Sequence, residues 1–226
     1  MFGGVNRILN SKWAKVVVFL LALWPFLALL WQAFVDRDLT ANPIKYIEHY
    51  TGDWTLRFLL ITLAITPLRV LFKRPALTRF RRMLGLYAFF YGCLHLSTWI
   101  SLDQQFDIHG MIADVAKRTY ITVGMAGWLS MLPLAITSTQ GWVRRMGYRS
   151  WERLHRLIYL SASAGVVHYY WLVKSDERLP LMYGMILALL LTLRIPGWLQ
   201  KPRRGRRRAR KSSADRSKGS KQPVTS

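Results

Sequence analysis

Six apolar, charge-poor runs recur along this sequence, and they constrain its fold more than any other feature. Crossing a hydrocarbon layer as a helix takes about 20 predominantly apolar residues. Val16 to Val35, Met83 to Leu102 and Thr119 to Gln140 reach that length without an Asp, Glu, Lys or Arg. Phe58 to Leu68, extended past Arg69 by Val70 to Phe72, is shorter, and its flanking Arg57 and Arg69 are placed to snorkel toward opposite interfaces. Leu157 to Val173 is charge-free but contains His168, and Leu179 to Leu193 is charge-free up to Arg194. The pattern predicts an all-α fold, a six-helix transmembrane bundle, with spans near residues 16–35, 54–72, 83–102, 119–139, 156–173 and 179–199. Residues 1–200 would form this membrane domain, and 201–226 a basic tail of Arg, Lys, Ser, Gly and Pro, expected to be disordered.

The first run is too long and too aromatic for a signal-peptide core, and no small-residue cleavage site follows Trp31, Gln32 and Ala33, so a retained helix is expected. Pro25, Pro67 and Pro133 fall inside runs, where a packed membrane helix tolerates a kink. Trp54, Trp99, Trp142, Trp151 and Trp171 lie near run ends, where interfacial anchors belong.

A net charge of +22 in a chain that is 52% hydrophobic requires the charge and the apolar residues to be segregated. Alternate loops divide it unequally. The termini and the segments Arg69 to Arg82 and Arg144 to Arg156 carry 26 Lys and Arg against Glu152 and Asp215, whereas the intervening loops carry seven against nine acids. The positive-inside rule then places both termini in the cytoplasm, which requires an even number of spans. The run from Arg203 to Lys211 is read as a juxtamembrane cluster that meets anionic lipid heads and fixes topology, with no nucleic acid as partner. No glycine-rich phosphate loop occurs. Cys93, the only cysteine, excludes a disulfide framework and a cysteine-ligated metal cluster, so metal chemistry falls to histidine or to a bound cofactor.

Of the five histidines, His49 and His109 fall in the outside loops and lack ligand spacing. His95 and His168 are each deep in a span, where an ionisable side chain is costly unless partnered. They lie 12 residues past Met83 and 11 past Leu157, in spans that run the same way, so both reach a similar depth in the outer half. Two imidazoles at one level on parallel helices suit axial ligation of a haem iron. Arg81, 14 residues before His95, and His155, 13 before His168, define a second level ~20 Å toward the cytoplasm. Fourteen steps return to within roughly 40° of the starting face but 13 miss it by about 140°, so His155 needs an irregular helix entry or a differently turned site. Arg81 is a candidate for a haem propionate, or simply a positive-inside residue. The same two histidines are also compatible with a proton-conducting or transport protein, and the chain with a membrane scaffold.

The segments Arg82-Met83-Leu84-Gly85-Leu86 and Tyr91-Gly92-Cys93-Leu94-His95, with Trp151 to Tyr159 leading to His168-Tyr169-Tyr170-Trp171, resemble the MsrQ family, formerly called YedZ. This family belongs to the ferric reductase-like transmembrane group, which includes NADPH oxidases. The resemblance covers the chain up to the basic tail. It implies a six-helix bacterial inner-membrane protein binding haem b, with FMN also described. As an electron-transfer subunit, it would take electrons from the quinone pool or a cytoplasmic flavin reductase. It would pass them to MsrP, a periplasmic molybdopterin methionine sulfoxide reductase that repairs oxidised proteins and carries the reductase active site. It further implies that His95 and His168 ligate an outer haem and that His155 belongs to an inner site. Oxidase relatives carry two histidines on each of these helices, and Arg81 stands where one would be expected, so a second, normally ligated haem does not carry over. Relatives that oxidise NADPH themselves have a soluble nucleotide-binding domain, for which 26 tail residues are too few.

Overall fold

The computed structural model describes residues 10–36, 40–173 and 176–194. The basic tail expected at 201–226 and the end of the predicted sixth span lie outside these. Among the described residues all regular structure is helical. The helices are α1 (Lys12–Trp31), α2 (Pro43–Leu71), α3 (Thr78–Thr98), α4 (Ile108–Lys117), α5 (Thr119–Ile136), α6 (Gln140–Met146), α7 (Tyr148–Leu154), α8 (Leu157–Leu172) and α9 (Arg178–Thr192). Short π-helical turns, Gln32–Asp36 and Trp99–Asp103, extend α1 and α3.

Among the described residues, four helical segments are long and apolar enough to cross a membrane: Lys12–Asp36, Pro43–Leu71, Pro75–Asp103 and Thr119–Ile136. Helices α8 and α9, with 16 and 15 residues, are shorter. Local chemistry sets the starts. The Ser11 hydroxyl accepts from the Trp13 N–H, and the Asn42 side chain accepts from the Lys45 N–H with Pro43 at the first helical position. That second cap starts α2 well before residue 54, so His49 stands on a helix and not in a loop. His109 likewise falls within α4, because residues 108–117 form an amphipathic helix of their own. Both side chains are exposed.

Helices α2, α3, α5 and α8 form a closed ring. The most extensive packing joins α2 to α3 and α5 to α8, and smaller contacts join α3 to α5 and α8 to α2. Helix α1 lies against α3. Pro25 deprives α1 of one backbone donor, and tyrosines repair the break. The buried Tyr91 hydroxyl donates to the Ala22 carbonyl and accepts from the Phe26 N–H, both at 3.0 Å, while Tyr50 donates to the Pro25 carbonyl at 3.1 Å. Where α5 crosses α8, small residues let the backbones approach: the Ser130 and Ser161 hydroxyls meet at 2.5 Å beside Gly127 and Ala164.

Candidate functional site

Because α3 and α8 carry His95 and His168 near their C-terminal ends, and α2 and α5 begin at the same end of the ring, four helix ends converge on one pair of imidazoles. The ring centroids are 6.1 Å apart and the planes make 74°. Each ring is fixed from behind by a backbone carbonyl, His95 Nδ1 by Glu48 at 3.0 Å and His168 Nδ1 by Tyr120 at 2.7 Å. A carbonyl oxygen can only accept, so Nδ1 must donate in both cases and Nε2 keeps its lone pair. Carbonyl-anchored imidazole is the usual arrangement behind a metal-ligating histidine, where the anchor fixes the tautomer and raises basicity.

The spacing fits an iron between the rings. With metal–nitrogen bonds of about 2 Å, two imidazoles on opposite sides of one ion need centroids roughly 6 Å apart. No cluster of three or more His, Cys, Asp or Glu that could hold a metal exists among the described residues. Two imidazoles are therefore completed best by a macrocycle that supplies the equatorial nitrogens. An open apolar cavity of about 670 Å³ lies among α3, α4 and α5, lined by Leu96, Trp99, Met111, Val115, Thr122 and Met125 among others, and neither histidine lines it.

At the opposite end of the ring the second level takes a different form. His155 stands in a break between α7 and α8, the irregular entry that the 13-residue spacing requires. Its ring stacks on Trp151 with centroids 4.0 Å apart, and its Nε2 lies 3.1 Å from the Thr137 hydroxyl. Trp151 Nε1 donates to the Thr137 carbonyl at 3.0 Å, so Thr137 joins the end of α5 to this turn. Burial, and then the charge of Arg81, push the His155 pKa down to about 4, which keeps the ring neutral at physiological pH. Arg81 therefore lies near His155.

Two features escape a reading of the sequence. One is the pair of carbonyl anchors, which are backbone atoms and leave no residue signature. The other is a polar cluster on α2, α8 and α9. Arg57 does not snorkel alone: its Nε donates to the Tyr183 hydroxyl at 2.9 Å, its guanidinium reaches Asp53 at 3.4 Å, and it lies over the Trp54 ring at 4.8 Å. Tyr169, next to His168, lies close enough to Asp53 to interact with it. Arg57 stood out in the sequence only as a flanking residue of the second run, and the tyrosine it bonds is more than a hundred positions away. A side chain at Gly92 would meet Trp128 and Thr55, and one at Gly165 would meet Leu56.

The ring of apolar helices with its facing histidines defines a helical membrane component, and the family assignment accords with it. Residues 51–166 match the family model described as ferric reductase like transmembrane component. The chain is 49% identical to the protein-methionine-sulfoxide reductase heme-binding subunit MsrQ of Herminiimonas arsenicoxydans, over 80% of this chain and 84% of the relative. It is 52% identical to the protein of the same name from Xanthomonas euvesicatoria pv. vesicatoria, over 80% and 85%. With the one from Rhodospirillum rubrum the identity is 47% over 91% of this chain and 99% of the relative. The chain belongs to the ferric reductase-like transmembrane family, and within it to the MsrQ heme-binding subunits.

Proposed function

We propose that this chain is a haem b electron-transfer subunit of a methionine sulfoxide reductase system. It takes electrons from the quinone pool or a cytoplasmic flavin reductase and passes them to MsrP, a periplasmic molybdopterin reductase that repairs oxidised proteins. The observation that carries the reading is the His95–His168 pair, two carbonyl-anchored imidazoles with centroids 6.1 Å apart. A b-type haem supplies a one-electron iron couple when bound. His95 and His168 would hold it, with the Glu48 and Tyr120 carbonyls fixing the tautomer of both imidazoles. His155 and Arg81 are assigned to an inner site at the other end of the ring, with Arg81 as a partner for an acidic group. FMN rests on the family resemblance and is assigned no residues.

The proposed topology has six spans, α8 and α9 being the fifth and sixth, in the bacterial inner membrane with both termini cytoplasmic. The charge asymmetry of the loops supports it. Residues 1–200 then form the membrane domain. The rival reading as a proton relay is disfavoured because both Nδ1–H groups end on backbone carbonyls, which have no proton to pass on. Visible spectroscopy of the detergent-purified protein tests the proposal. A Soret band that sharpens on dithionite reduction is expected, and its absence from protein produced with ample haem would refute the reading.

A further inference from the structure

The α2–α3 and α5–α8 pairs carry the same device, although the sequence shows no repeat. In each, a histidine near the end of one helix bonds a carbonyl near the start of the other, 47 positions away for His95 and 48 for His168. One helical turn after each accepting carbonyl stands a glycine, Gly52 after Glu48 and Gly124 after Tyr120. The imidazole that reaches the carbonyl must lie across this next turn. A Cβ at Gly52 would stand 3.2 Å from both Nδ1 and Cε1 of His95. A Cβ at Gly124 would stand 2.6 Å from Nδ1 and 2.9 Å from Cε1 of His168, closer than side chains tolerate.

Backbone conformation gives neither glycine a reason to be there. Among the described residues only Gly147 has a glycine φ in the left-handed region. Inside a helix, glycine costs about 1 kcal/mol relative to alanine. Space for the imidazole accounts for it at both positions.

We propose that Gly52 and Gly124 are positioning residues for the two axial imidazoles. By leaving the carbonyl of the preceding turn open, they fix each ring's tautomer and orientation, and Gly124 does so with the tighter tolerance. The inference rests on the haem reading above. It concerns how the ligands are set.

The test compares Gly124→Ala, Gly52→Ala and Gly85→Ala with wild type in detergent, by haem-to-protein ratio, low-spin electron paramagnetic resonance and redox titration. Gly85 is the control, because a Cβ there meets only Thr62 Cγ2, at an ordinary 3.7 Å. Expected for Gly124→Ala are an unchanged helical circular dichroism signal and haem affinity weaker by about 10- to 100-fold. Gly52→Ala is expected to keep haem but with altered g values and a shifted midpoint potential, and Gly85→Ala to match wild type. A Gly124→Ala protein with wild-type haem content, g values and potential overturns the inference while leaving the haem reading intact. Should Gly124→Ala not accumulate, Gly52→Ala decides in the same way, wild-type g values and potential overturning the inference. Wild-type protein without a bis-imidazole low-spin signal overturns both.

Discussion

Tyr91 places its hydroxyl inside the backbone ladder of α1, donating to the Ala22 carbonyl and accepting from the Phe26 N–H at 3.0 Å each. The tyrosine is fully buried and its ring stacks on Phe58 with centroids 5.3 Å apart. The proline kink of the first helix and the core of the ring are thus one structural unit. Removing the hydroxyl leaves backbone groups of α1 short of a partner in an environment without water. Tyr91→Phe is expected to cost about 1–3 kcal/mol, read as a lower thermal midpoint in detergent, with the haem spectrum retained.

The Asp53–Arg57 pair belongs to a network with Tyr169 and Tyr183, so its members are not independent. Arg57→Leu leaves the Asp53 carboxylate without its countercharge, whereas Asp53→Asn with Arg57→Leu removes both charges. The double variant is expected to be more stable than Arg57→Leu alone, with a coupling of about 0.5–3 kcal/mol. A thermodynamic cycle from detergent unfolding checks this, and additive single effects would remove the network from the account.

His95→Ala and His168→Ala are each expected to lose most bound haem, because either change leaves one side of the iron without a ligand. His49→Ala and His109→Ala should leave the Soret band unchanged, since both side chains are exposed and neither is anchored toward the pair. A normal low-spin spectrum from His95→Ala would break the proposed pairing.

The inner level is settled by stoichiometry. If His155 and Arg81 serve a second haem, His155→Ala and Arg81→Ala lower the haem-to-protein ratio while preserving the low-spin signal of the outer pair. If they do not, the ratio stays at the wild-type value. The Thr137 contact supplies a further check, as Thr137→Val frees His155 Nε2 from its present partner and should alter only the inner signal.

Much of this architecture was legible from residues alone, and the parts that were not share a cause. The long charge-free runs became long apolar helices, and prolines 25, 67 and 133 sit inside them as expected of membrane helices. The start of α2 is not legible in hydropathy because its polar first turns, with Lys45, Glu48 and His49, break the apolar pattern while the Asn42 cap still nucleates the helix. His95 and His168 stood out as ionisable groups in apolar runs. Their anchors did not, since a carbonyl belongs to every residue and only packing selects one.

Hydropathy and charge, which are sums over local stretches, are therefore what the sequence determines by itself: helical runs, their spacing, and a basic side opposite a near-neutral one. Which helices close the ring depends on contacts between positions far apart in the chain, and so does everything that follows from it. Tertiary structure alone decided that the Glu48 and Tyr120 carbonyls back the two histidines, that Gly52 and Gly124 make room for them, and that Tyr91 mends α1. Each is a matter of a few tenths of an ångström between groups some 45 to 70 residues apart, a distance over which hydropathy carries no register.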